Sequence, residues 1–186
     1  MRTTLALAVC LLAPFALAAD PKKGGVKSVE ATFEPAEAKP GQKVTLKLTV
    51  TLEDGYYTYP LVQTDKAAAG MVNKLEFPKA GAVVFVGDAL DPAGAKTKAE
   101  PVLGITEMYY YTGTVVYERT AVVNPAAKAG EVTVELPKFQ LSVCDKDNCF
   151  PAKKLTPTAK LKVTDGPAVA VDKKYAAEVE KALQEK

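Results

Sequence analysis

Residues 141–151 read LSVCDKDNCFP and hold Cys144 and Cys149, two of the three cysteines in 186 residues; the third is Cys10. Two thiols this close can close a short structural ring, clip a metal, or exchange with the disulfides of other proteins. A structural zinc site wants four Cys or His ligands, and the chain has no histidine. A two-thiolate copper(I) site would have to keep both sulfurs reduced. Neither a metal nor another cofactor is therefore expected. The missing histidine also removes Ser-His-Asp and Cys-His hydrolases. As a staple the ring is inefficient: closing so short a loop contributes about 2 kcal/mol, against roughly 4.7 for a 100-residue loop. As a redox motif, C-x4-C is not the C-x-x-C of thioredoxins, and no helix N-terminus is evident to lower a thiol pKa. Asp145 and Asp147 disfavour a thiolate, while Lys146, Lys153 and Lys154 favour one. On the residues alone, staple and working pair both stand.

The compartment bears on that choice. The N-terminus, MRTTLALAVCLLAPFALAAD, places Arg2 before an apolar run from Leu5 to Leu17, with Ala16 and Ala18 framing a cleavage site. Residues 1–18 therefore read as a secretory signal peptide. Its removal takes away Arg2, no acid, and Cys10, so the net charge falls from +2 to +1 and two cysteines remain. An even count in an oxidising space fits a disulfide. The expectation is a soluble exported protein, with no membrane span after cleavage because no second stretch approaches the ~20 apolar residues needed. Near-neutral charge gives no electrostatic case for nucleic acid.

The elements that must position the pair are strands. Val44, Leu46, Leu48, Val50 and Leu52 alternate with Thr45, Lys47, Thr49 and Thr51, the pattern of a half-buried strand. Val29, Ala31 and Phe33 alternate similarly. Further strands are expected at 73–77, 82–86, 107–111, 114–123, 132–136, 139–143 and 159–163, separated by Gly/Pro turns. The fold predicted is an all-β, immunoglobulin-like antiparallel β-sandwich over residues 28–165. Residues 19–27 read as a flexible lead-in. Residues 166–186 read as a linker and a short C-terminal helix, capped by Asp172, with Tyr175, Val179 and Leu183 on one stripe. Residues 60–72 and 87–104 show no period, and loops that long are often functional.

Three stretches, in order, resemble one family. PGQKVTLKLTVTLEDGYYTYP (40–60), EMYYYTGTVVYERTAVV (107–123) and LSVCDKDNCFPAKKLTPTAKLKV (141–163) are similar to the opening strand, the acidic-aromatic segment and the active-site hairpin of the N-terminal periplasmic domain of the thiol:disulfide interchange protein DsbD. The resemblance runs from about residue 28 to 163. It implies an immunoglobulin-like domain in the periplasm, or secreted, whose cysteine pair passes electrons to oxidised exported proteins, including disulfide isomerases and cytochrome c maturation factors. A thioredoxin-like or membrane-embedded reductase would be the donor; the chain ends after one such domain, so a separate protein is expected to fill that role. Carried over by position, Cys149 is the attacking thiol and Cys144 the resolving thiol. Tyr56 and Tyr59 would flank the site, with Tyr57 packed in the core. In the family a cap loop bearing an aromatic before a glycine shields the cysteines. Here EPVLG precedes and includes Gly104, so Val102 and Leu103 hold that position, with Glu100 beside them as the acidic cap residue. The alternative class is a non-catalytic immunoglobulin-like binding module with a structural Cys144–Cys149 bridge.

Overall fold

A computed structural model describes residues 24–185; the expected signal peptide and the first part of the lead-in lie outside them. Fourteen strands follow in order: β1 (Val26–Glu34), β2 (Glu37–Ala38), β3 (Lys43–Leu52), β4 (Tyr57–Thr58), β5 (Lys74–Glu76), β6 (Val83–Phe85) and β7 (Lys96–Glu100). Then come β8 (Ile105–Thr112), β9 (Thr114–Val123), β10 (Gly130–Glu135), β11 (Lys138–Leu141), β12 (Val143–Cys144), β13 (Lys153–Leu155) and β14 (Thr158–Val163). One helix, α1 (Lys173–Gln184), ends the series.

The alternation read in the sequence decides which faces meet. One sheet has the order β1-β3-β9-β6; two three-stranded sheets, β10-β14-β2 and β13-β11-β5, supply its partner layer. Val44, Leu46, Leu48, Val50 and Leu52 of β3 are all buried, and they share one core with Phe139 and Leu141 of β11 and Ala159, Leu161 and Val163 of β14. This is the expected immunoglobulin-like sandwich, antiparallel except for the short β14–β2 pair. On the outer face of the first sheet, Tyr175 and Val179 of α1 pack against Val84, Val86 and Val122. Asp172 caps the helix by accepting from the Lys174 amide at 2.9 Å, and the Glu178 carboxylate accepts from the Gly87 amide at 2.7 Å.

Two sequence expectations change. The first strand begins at Val26, paired with Leu52, inside the stretch read as a flexible lead-in. Residues 87–104 are not a structureless loop: β7 pairs with β8, and a single turn of 3₁₀ helix, Pro101–Leu103, joins them through Gly104 in the left-handed region. Lys96–Glu100 lies at a sheet edge with little of either face covered, so no hydrophobic alternation marks it. A fourth sheet, β12-β4-β8-β7, results, and it carries the cysteines.

Candidate functional site

The site begins at a hairpin. From β11 the chain passes through Ser142 into β12, turns over residues 145–148, and returns through Cys149 to β13, which pairs back on β11 with Leu141 opposite Lys153. The turn has a local cause. Asp145 accepts from the amides of Asp147 and Asn148 through one carboxylate oxygen, at 2.8 and 2.7 Å, and its own amide donates to the Asn148 carbonyl at 2.8 Å. Asp and Asn are the residues that nucleate such turns, because their side chains replace backbone partners. The turn sets Cys144 opposite Cys149 as an antiparallel bridge, and the two are joined as a disulfide with Cα atoms 4.0 Å apart.

The two cysteines are not equivalent. Cys144 is 1% exposed, in a small core with Tyr59, Ile105 and Met108. Cys149 is exposed and borders a cleft of about 250 Å³. The Tyr59 hydroxyl stands 3.3 Å from the Cys144 sulfur and 3.5 Å from that of Cys149. Disulfide sulfurs carry no hydrogen, so the phenol is the donor. Burial, first, and then the neighbouring Tyr57 and Glu100 hold the Tyr59 phenol above its ordinary pKa, so it keeps its proton.

Strand periodicity explains which tyrosine goes where. Tyr57 and Tyr59 are two apart and share a face; their rings meet edge to face at 5.8 Å, with Cys144 opposite Tyr57 across β12–β4. Tyr56 points the other way, with its ring 5.9 Å from Phe150, so it does not line the cysteine cleft. It faces a second, more open cleft of about 540 Å³, which Tyr57, Lys98 and Lys146 divide from the first. Tyr57, expected in the core, is half-buried and lines both clefts.

The β7–β8 hairpin supplies the far wall. Lys98 donates to the Tyr57 hydroxyl at 3.0 Å, lies over the Tyr57 ring at 4.4 Å, and pairs with Glu100 at 2.8 Å. Burial by itself would lower the Lys98 pKa, but Glu100 and Tyr57 outweigh it and hold the ammonium above its ordinary value. Glu100 and Leu103 line the cleft with Cys149. Val102 does not: it is 98% exposed, against 57% for Leu103. The structure thus brings together Cys144, Cys149, Tyr59, Glu100 and Leu103, and leaves Tyr56 and Val102 outside. Tyr57, expected in the core, joins them, as do Lys98, Met71 and Met108, which the sequence had not singled out. The i, i+2 spacing of Tyr57 and Tyr59 was the signal available for the first of these. Among the described residues no group of three or more His, Cys, Asp or Glu is placed to hold a metal, and no helix is long and apolar enough to cross a membrane.

No family model matches the chain, and no curated protein does. Among solved structures, the N-terminal periplasmic domain of ScsB from Proteus mirabilis is similar at 16% identity and a TM-score of 0.48, over 90% of this chain and 56% of that one. The chain therefore spans little more than half the length of that structure.

Proposed function

We propose that this protein performs extracytoplasmic thiol-disulfide interchange through Cys144 and Cys149, as a member of the DsbD N-terminal-domain type. The observation that carries the reading is the asymmetry of the pair: Cys149 is an exposed residue on a cleft, Cys144 is buried, and a protonated phenol contacts both sulfurs. A structural bridge needs no such arrangement, whereas exchange needs an attackable sulfur and a stabilised leaving group.

In the oxidised state a donor thiolate attacks the Cys149 sulfur along the S–S axis. A donor–Cys149 disulfide forms, and Cys144 leaves as a thiolate that accepts the Tyr59 O–H. The donor's second thiolate then takes its own sulfur back, releasing Cys149. Two electrons have entered the pair, and two protons follow to the thiols. In the delivering half-cycle the Cys149 thiolate attacks the disulfide of an oxidised exported protein and expels one of its sulfurs. The Cys144 thiolate next attacks Cys149, closing the Cys144–Cys149 bond and freeing the second sulfur of the partner. Lys98 favours thiolate at the mouth of the cleft, while Glu100 opposes it and tempers the effect. Leu103 lines the cleft beside Cys149, so a protein partner that seats on Cys149 also meets this turn and would displace it. The donor is a thioredoxin-like or membrane-embedded reductase. The signal-like residues 1–18 support export.

Titration of the thiols in defined redox buffers tests this. A carrier equilibrates within the range of its partners, whereas structural bridges typically lie below about −300 mV. A value far below that range makes the bridge structural and ends the reading.

A further inference from the structure

We propose that Asn73, which touches neither sulfur, is a positioning residue for the thiol pair: its side chain fixes Tyr59 relative to Cys144 by holding the Tyr59 carbonyl and the Ser142 amide at once. The inference rests on the interchange reading above.

Asn73 is 2% exposed and lies just before β5. Its side-chain oxygen accepts from the Ser142 amide at 2.8 Å. Its side-chain nitrogen lies 2.9 Å from the Thr58 hydroxyl, 2.7 Å from the Tyr59 carbonyl and 2.8 Å from the Tyr117 hydroxyl. An amide nitrogen has two hydrogens, so one of them is shared between two of these three acceptors. The Tyr117 hydroxyl in turn donates to the Tyr59 carbonyl at 2.7 Å, and the Thr58 hydroxyl to the Ser142 carbonyl at 2.7 Å.

The location gives this network its meaning. Ser142 is the residue at which the chain leaves β11, paired in the sandwich with β5 and β13, and enters β12, paired with β4 in the end sheet. Ser142 belongs to neither strand, yet buried polar backbone must find partners. Asn73 and Thr58 supply one for its N–H and one for its C=O. The residues so tied are Tyr59 itself and the residue two before Cys144. Only a group with an acceptor and donors in one plane can bridge them: Asp lacks the donors and Leu lacks both. Asn73 thereby sets how far the Tyr59 phenol stands from the sulfur that leaves.

The test is single-turnover reduction of the disulfide by excess dithiothreitol at neutral pH, with folding checked by circular dichroism. Asn73→Ala slows reduction about fivefold to tenfold, and in a Tyr59→Phe background slows it less than about twofold, because coupled residues are non-additive. Tyr117→Phe, which deletes only the hydroxyl bonded to the Tyr59 carbonyl, guards against a poorly folded Asn73→Ala and slows reduction about twofold to threefold, again only when Tyr59 is present. Equal slowing in both backgrounds, or none in either variant, reduces Asn73 to a fold-stabilising residue and overturns the proposal. A disulfide that resists reduction equally in every folded variant, wild type included, instead overturns the interchange reading and this inference with it.

Discussion

Tyr59→Phe deletes one oxygen and leaves the ring, so it isolates the hydroxyl that lies 3.3 Å from the Cys144 sulfur. The phenol keeps its proton and can donate to a thiolate. A hydrogen bond to a charged group is worth about 1.5–3 kcal/mol, which at 1.36 kcal/mol per unit corresponds to about one to two pKa units on Cys144. Losing it raises the Cys144 pKa by that amount and cuts the thiolate fraction at neutral pH roughly 10- to 100-fold. The more basic thiolate is also more nucleophilic, with a Brønsted slope of about 0.4–0.5, so the ring-closing attack slows by roughly fourfold to tenfold. The pKa is measured in a Cys149→Ser background, where Cys144 is the sole thiol of the domain, by thiolate ultraviolet absorbance against pH. An unchanged pKa would show that the phenol does not act on the thiolate. A lower pKa in the Phe variant would mean that the thiol had been donating to the phenol oxygen, which refutes the role outright.

Three other outcomes are expected. Cys144→Ser accumulates a mixed disulfide with a partner while Cys149→Ser does not, and both fold, since the ring contributes only about 2 kcal/mol; non-reducing electrophoresis and mass spectrometry read the adducts, and equal trapping, or trapping by Cys149→Ser alone, overturns the assignment. Leu103→Gly speeds alkylation of the reduced pair by a bulky maleimide about threefold or more, because access governs thiol reactivity, while Val102→Gly, at a fully exposed position, leaves the rate unchanged. Asp65 accepts from the Thr106 hydroxyl and from the amides of Thr106, Ala67 and Glu107, and these bonds lower its pKa from 3.8 to about 2. A depressed folded pKa means stability that is present above about pH 4 and lost as pH falls through about 2. Asp65→Asn should remove that part of the acid dependence of Tm, and an unaltered profile would discount the carboxylate.

The long strands were legible because each has one dry face: in β3 every second residue is buried along the strand, in β9 positions 115, 117, 121 and 123 are, and apolar residues fill them. The C-terminal helix was legible for the same reason, with Tyr175 and Val179 on its buried stripe. The site was legible only in part. The cysteine spacing exposed the pair but left staple and carrier open, and the burial difference between Cys144 and Cys149 on which the carrier proposal rests exists only in three dimensions. β7 escaped because a strand wet on both faces has no apolar period. Asn73 escaped because a single asparagine at the start of an expected strand is silent until its partners, up to 69 positions away, are brought to it. Leu103 and Val102 are neighbours in sequence, and only the turn at Gly104 decides which of them faces the cleft.

The Asp145 turn has a consequence for energetics. Its three hydrogen bonds involve neither sulfur, so they do not depend on the S–S bond and would hold the two thiols near each other after reduction. Each sees the other at a high effective concentration, and the entropy of bringing them together has been met by the turn. Ring closure is then favoured, and a pair that closes readily surrenders its electrons readily. In the proposed interchange, a flexible linker between the same two cysteines would hold electrons longer and make a better oxidant, whereas the aspartate-held turn would tilt the pair toward giving them away.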